Sequence, residues 1–383
     1  MPWKVINQME IKIELIEDWK AGHFSITDLS HKYDVSRPTV YKWLNRYKRY
    51  GIEGLKEKSR APQRCPHRTT KVILDILIEE KLRNRKRGHR KVRAQLKRKH
   101  PELELPAIST IGYWFKKEGL VEHRKKRLRV PPYTEPFSAC QEPNDIWSID
   151  YKGQFHMKDG RVCYPLTISD NFSRFLLGCK ALRGPQYEPT RRFMESIFRE
   201  NGMPDAIRSD NGTPFAGKGI GGLSRLMIWL ILLGIIPERI RKGHPQENGR
   251  HERMHRSLKS DVLDTVAGNL REQQKVFDLY RYDYNNERPH ESLNDRTPSD
   301  YYKKSTRPYV ENPHKPDYDH NYLVRHVRHN GEIKFMGRLF RVTNLLVGQP
   351  VGLKEIDDDL WQLQFSFYVL GSIDLRKNKV IRN

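Results

Sequence analysis

Cysteine is scarce in this chain. Cys65, Cys140, Cys163 and Cys179 are the only four in 383 residues, and no two form a CxxC pair. That scatter argues against a zinc finger or a disulfide framework and fits a reduced, cytoplasmic setting. Long apolar runs are missing as well. The most apolar stretch, LMIWLILLGII at 226–236, falls well short of the about 20 residues a bilayer span needs. It reads as a buried helix leading into a strand, and no membrane partner is expected. The first residues lack the apolar core of a signal peptide. Acidic residues are outnumbered: 47 Asp and Glu face 71 Lys and Arg, a formal charge of +24. A surplus of that size points to a polyanion, most simply nucleic acid, with an anionic membrane surface as the competitor.

The first sixty residues read as helices around a turn. Ile6, Met9, Ile13 and Ile16 have helical spacing, and a short helix covers Ile26 to Tyr33. Asp34 and Val35 make a tight connection. Ser36 then stands where an N-cap belongs and Pro38 falls in the first turn. The helix from Arg37 to Tyr50 buries Val40, Trp43, Leu44 and Tyr47 and offers Arg37, Thr39, Lys42 and Arg46 on its other side. This is helix-turn-helix logic, in which the second helix enters a major groove. A second helical unit is expected from Thr70 to Lys117, with Ser109 capping its last helix. Its centre, Lys81 to Lys99, holds eleven Lys or Arg and no acid. Phosphates are the expected partners of this run, Arg87, Arg90 and Lys91 among the contacts. Residues 121–143, rich in Arg, Lys and Pro, read as a basic linker along DNA.

From residue 144 the pattern changes. In IWSIDYKGQF, at 146–155, Trp147, Ile149 and Tyr151 alternate with Ser148, Asp150 and Lys152. Two further strands are expected at 161–168 and 172–181, with Asp159-Gly160 as a hairpin signal. A helix at 189–201, a short strand ending at Asp210-Asn211-Gly212, the apolar helix and another strand complete a mixed sheet with helices on its faces. The stretch KGHPQENGRHERMHRSLK at 242–259 turns at Pro245 and Gly249 and then runs free of Pro and Gly. On a helix there, Glu252, Arg256 and Lys259 share one face. Asp150 lies inside a strand pattern and Asp210 ends one. Three acids on rigid elements are the equipment for two-metal phosphoryl transfer.

WSID at 147–150, IRSDNGTPF at 207–215 and HPQENGRHERMHRSLK at 244–259 together resemble the three motifs of the retroviral-integrase catalytic core. That core is an RNase H-like fold shared by bacterial insertion-sequence transposases. The resemblance implies that Asp150, Asp210 and Glu252 are the catalytic, metal-binding triad. It implies two Mg²⁺ (or Mn²⁺) ions, and DNA-end contacts from Asn248, Arg256 and Lys259. The family's usual spacing would select Glu247, 37 residues beyond Asp210; Glu252 stands 42 beyond. Glu252 is preferred because Glu247 precedes a turn dipeptide and has His251 and Met254 where cations would follow. RPHESLNDRTPSDYY at 288–302 resembles the tail that follows the core in such transposases.

The expected organisation is multidomain: all-α helix-turn-helix modules at 1–60 and 61–120, the 121–143 linker, an α/β RNase H-like core at 144–302 and a small SH3-like β-barrel at 307–383. The expected function is a transposase that cleaves the terminal inverted repeats of an insertion sequence and joins the 3′-OH to target DNA. It implies double-stranded DNA as partner, a homo-oligomer of at least two copies, and a cytoplasmic, nucleoid-associated place. The alternatives are a DNA-binding regulator with an inactive core and an RNase H-like nuclease that cuts without joining.

Overall fold

The computed structural model describes residues 8–57, 69–121, 140–217, 219–241, 249–262 and 266–382. Most of the expected linker, together with Glu247 and Asn248, lies outside the described residues. The chain divides into two compact units, Met1–Arg68 and Thr69–Asn383.

The first unit packs α1 (Gln8–Ala21), α2 (Ile26–Lys32) and α3 (Arg37–Tyr50) around Leu15, Ile16, Leu29, Val40, Trp43 and Leu44. Ser25 starts α2 with a capping box: its hydroxyl accepts from the Asp28 N–H while Asp28 accepts from the Ser25 N–H. Asp34 turns the chain with φ of 50°, a conformation that Asp tolerates better than most residues. Ser36 precedes α3 as expected, but its hydroxyl meets the Thr39 hydroxyl at 2.9 Å, and it makes no side-chain cap.

The second unit begins with α4 (Lys71–Arg83), α5 (His89–Lys99) and α6 (Ile108–Lys117), closed on Leu77, Val92, Leu96, Ile111 and Phe115. Ala107, not Ser109, occupies the cap position of α6, and Ser109 lies inside the first turn. The central sheet follows. β1 (Ile146–Tyr151) stops short of the expected 155, β2 (Phe155–His156) is a two-residue strand, and β3 (Val162–Asp170) and β4 (Leu176–Leu182) follow. Then come α7 (Tyr187–Asn201), β5 (Ala206–Ser209), α8 (Arg225–Leu232), β6 (Ile236–Arg239), α9 (Gly249–Val262) and α10 (Leu270–Tyr282). β3 pairs antiparallel with β1, β2 and β4, whereas β1, β5 and β6 run parallel. The sheet is therefore mixed, as the order of elements implied.

Strand alternation sorts its two faces. Trp147, Ile149, Leu166, Ile168 and Ile207 pack against α7 and α8. Cys163, Leu176 and Cys179 pack against Met254, Leu258, Val262 and Phe277 of α9 and α10. Ser148 and Asp150, one residue out of step with Trp147 and Ile149, belong to the α9 face. The all-round apolarity of α8 has a simple cause. Leu226, Trp229 and Leu230 join the sheet core, while Met227, Ile228 and Ile231 join the core of the C-terminal strands, so the helix is buried on both sides.

Those strands are β7 (Leu323–His326), β8 (Glu332–Phe335), β9 (Arg338–Arg341), β10 (Pro350–Asp357), β11 (Leu360–Phe365), β12 (Tyr368–Asp374) and β13 (Lys379–Arg382). The expected barrel is corrected here. They form a five-stranded sheet, β13-β12-β11-β10-β7, and a separate β8-β9 ribbon, with no closed barrel among the described residues. The sheet does not need to close on itself, because Ile220, Leu223 and α8 share its apolar core. No described helix is long and apolar enough to cross a membrane.

Candidate active site

Three elements bring the three acids together. β1 and β5 run parallel with Ser148 opposite Arg208; Asp150 follows two residues on in β1, and Asp210 is the first residue beyond β5. The Asp210 carboxylate accepts the Gly212 N–H at 3.0 Å, which fixes it at the end of β5. Glu252 lies in the first turn of α9, and one of its carboxylate oxygens falls within 4.8 Å of ligand atoms of Asp150 and His255. Burial, then the charges of Asp210 and Glu252, push the Asp150 carboxyl up to about 7. Carboxylates gathered this closely in a half-buried setting suit a divalent cation, so the donor set fits the metal that the resemblance implies.

Arg256 and Lys259 lie on the exposed face of α9 with Glu252, as expected. Its other face is not purely apolar. His251 and His255 sit among Met254, Leu258 and Val262, each histidine only 1% exposed. They meet two hydroxyls of β3. Thr167 Oγ1 donates to the Asp150 carbonyl at 3.1 Å, contacts His251 Nε2 at 2.8 Å and contacts His255 Nε2 at 2.6 Å. Ser169 Oγ reaches His251 Nδ1 at 2.7 Å. His255 Nδ1 stands 3.6 Å from Asp150 Oδ2. Burial holds both imidazoles neutral, His251 down to about 3 and His255 lower still. Sequence reasoning missed this pair. The signal was available: histidines four apart in the buried stripe of a helix are expensive unless both nitrogens have partners.

Gly212 follows Asp210 at the end of the short strand. A Cβ there would stand 3.0 Å from Asp210 Oδ2 and press on that carboxylate. Gly212→Ala is therefore expected to displace the carboxylate and lower the cleavage rate by about tenfold or more, since small misplacements in a site are costly. Thermal stability should hardly change, and rates and melting curves of the two proteins check both points.

The basic run of the second helical unit has an unexpected partner. Arg87 is 5% exposed, and its guanidinium binds Gln95 and Asp283. Arg90 binds Glu291 at 2.8 Å and Asp295 at 3.1 Å. Arg98 binds Thr297 at 3.0 Å and Lys99 faces Glu287 at 3.6 Å. Lys91 is partly buried, and burial, then repulsion from Arg288 and Arg87, lowers it to about 8. The expected phosphate contacts Arg87, Arg90 and Lys91 thus turn toward the segment after α10, whose carboxylates supply the counter-charge. In the first unit, Arg37 and Lys42 are exposed on α3, Thr39 is half-buried and Arg46 donates to the Lys56 carbonyl at 2.9 Å. Arg87→Ala should destabilise the protein by about 2 kcal/mol, because it removes the donor to the buried Gln95 oxygen and leaves Asp283 with Arg288 as its remaining guanidinium partner. Arg37→Ala should leave the melting temperature unchanged and weaken DNA binding, as melting curves and filter-binding measurements would show.

Several known families and proteins are similar to parts of this chain. A helix-turn-helix domain family matches residues 11–63 and a homeodomain-like domain family matches 39–115. Integrase core domain families match 141–245 and 233–298. The chain is 26% identical over 241 residues to the uncharacterized 31.7 kDa protein of insertion element IS407 from Burkholderia multivorans, covering 62% of this chain and 83% of that one. It is 24% identical to the uncharacterized 39.2 kDa protein of insertion element IS476 from Xanthomonas euvesicatoria, covering 74% and 80%. It is 26% identical to the transposase for insertion sequence element IS904 from Lactococcus lactis, covering 46% and 68%. Among solved structures, the HTLV-2 integrase catalytic core domain in complex with magnesium matches 42% of this chain and 98% of its own, at 16% identity and a TM-score of 0.34.

Proposed function

We propose that this chain, a transposase with an integrase core domain and helix-turn-helix modules, cleaves the ends of an insertion sequence and joins them to target DNA. The observation that supports this reading is the gathering of Asp150 and Glu252 into one group of ligand atoms, with the Asp210 charge close enough to raise the Asp150 carboxyl. In this reading the three carboxylates hold two divalent ions, Mg²⁺ or Mn²⁺. Bound there, the metals supply activation of the attacking oxygen and charge neutralisation at the leaving one.

The protein's own part is positioning. The parallel pairing of β1 with β5 carries Asp150 and Asp210 on adjoining segments, and the Gly212 N–H holds the Asp210 carboxylate. Arg256 and Lys259, one and two turns beyond Glu252, lie where a DNA phosphate crossing the acids would meet two cations. Asn248 belongs to the same DNA-end contact in this reading. Arg37, Thr39 and Lys42 on α3 are the proposed groove contacts of the first unit. An insertion has two ends to join, so the active form is a homo-oligomer of at least two copies.

The test combines the protein, Mg²⁺, a labelled terminal-repeat duplex and a supercoiled plasmid. Labelled end joined to plasmid is the expected product. Cut ends without joining would make the protein a nuclease, and neither product would make it a regulator.

A further inference from the structure

We propose that His255 is a nitrogen ligand to the divalent ion held by Asp150 and Glu252, and that this makes the site prefer Mn²⁺-type ions over Mg²⁺. The proposal rests on the metal site named above and adds a residue to it. It starts from a count of protons. The Asp150 carbonyl can only accept, so the single hydroxyl proton of Thr167 is committed to it. Thr167 Oγ1 is then an acceptor for both histidines, and each must donate from Nε2. A neutral imidazole with its proton on Nε2 has a bare lone pair on Nδ1.

For His251 that lone pair is used, because it accepts from Ser169 Oγ at 2.7 Å. For His255 it stands 3.6 Å from Asp150 Oδ2. That distance is too long for a hydrogen bond, and both atoms are acceptors when the carboxylate is ionised. Two ligand atoms about 2.1–2.2 Å from one ion and about 90–120° apart stand about 3.0–3.7 Å from each other. The observed gap falls in that window. A carboxylate oxygen of Glu252 completes a group whose ligand atoms all lie within 4.8 Å of one another.

The outer contacts agree. A metal-bound histidine commonly donates its other N–H to a fixed acceptor, and Thr167 Oγ1 is that acceptor here. The two histidines therefore divide the work: His251 locks the hydroxyl pair of β3, and His255 leaves one nitrogen open to the site. An imidazole among carboxylates shifts preference from the hard Mg²⁺ ion toward transition ions.

Pulsed electron paramagnetic resonance on the full-length protein loaded with Mn²⁺ tests this without any assay of activity. The expected result is an imidazole-nitrogen coupling that changes on ¹⁵N-histidine labelling, disappears in His255→Gln and persists in His251→Gln. Mn²⁺ should bind at least about tenfold more tightly than Mg²⁺ to the wild type, with the ratio shrinking in His255→Gln. Mn²⁺ that binds in an Asp150-dependent way but shows no imidazole coupling would overturn the role of His255 and leave the carboxylate site standing. Mn²⁺ binding unaffected by Asp150→Asn would overturn both. The labelled wild type gives its answer even where a histidine variant folds poorly.

Discussion

Asp150→Asn should slow strand cleavage about a thousandfold and, in metal-free buffer near pH 8, make the protein more stable. The two effects share one origin. Burial, then the charges of Asp210 and Glu252, push the Asp150 carboxyl up to about 7, well above the ordinary carboxylate range. A raised acid binds its proton more tightly in the folded chain than in the unfolded one. Its contribution to stability is then present at low pH, declines as pH rises through the interval from about 4 to 7, and is absent above it. The shift corresponds to at most about 4 kcal/mol. Asn is the same size and carries no charge, so its advantage should appear at pH 8 and vanish near pH 4. Divalent ions should stabilise the wild type at pH 8 and leave the variant unmoved. Loss of the ligand should slow cleavage by about three orders of magnitude, equivalent to about 4 kcal/mol of transition-state stabilisation. Melting curves at two pH values, with chelator and with Mn²⁺, and a cleavage assay check each part.

The second large effect separates two glutamates five residues apart. Glu252→Gln should lose cleavage by a similar factor, whereas Glu247→Gln should stay within a few-fold of the wild type. Glu252 sits on α9, with a carboxylate oxygen within 4.8 Å of the Asp150 and His255 ligand atoms. Its face carries Arg256 and Lys259, both exposed and one and two turns along. Cleavage by purified variants on a labelled terminal-repeat duplex decides the matter. Loss in Glu247→Gln alone would transfer the role to that residue.

Much of this site is legible in the sequence. Alternation in IWSIDY put Asp150 on the face opposite Trp147, and the three acidic motifs appeared in order along the chain. The apolar run at 226–236 was readable as a buried helix. That it serves two cores was not readable, because period alone does not say how many neighbours a helix has. The docking of the basic run was hidden for a related reason. Eleven cations look the same whether their partner is DNA or carboxylates about two hundred positions later, such as Asp283 and Glu291. The link from His251 and His255 to Thr167 and Ser169 is also long-range, spanning more than eighty positions. The barrel failed as an expectation because short strands at even spacing fit an open sheet covered by a helix as well as a closed one.

Anomalous diffraction from crystals grown with Mn²⁺ is the most direct measurement. Strong peaks coordinated by the carboxylates of Asp150, Asp210 and Glu252, lost when any one of them is changed to its amide, are the expected result. Cleavage-competent protein whose Mn²⁺ sits elsewhere, with those three side chains pointing apart, would contradict it.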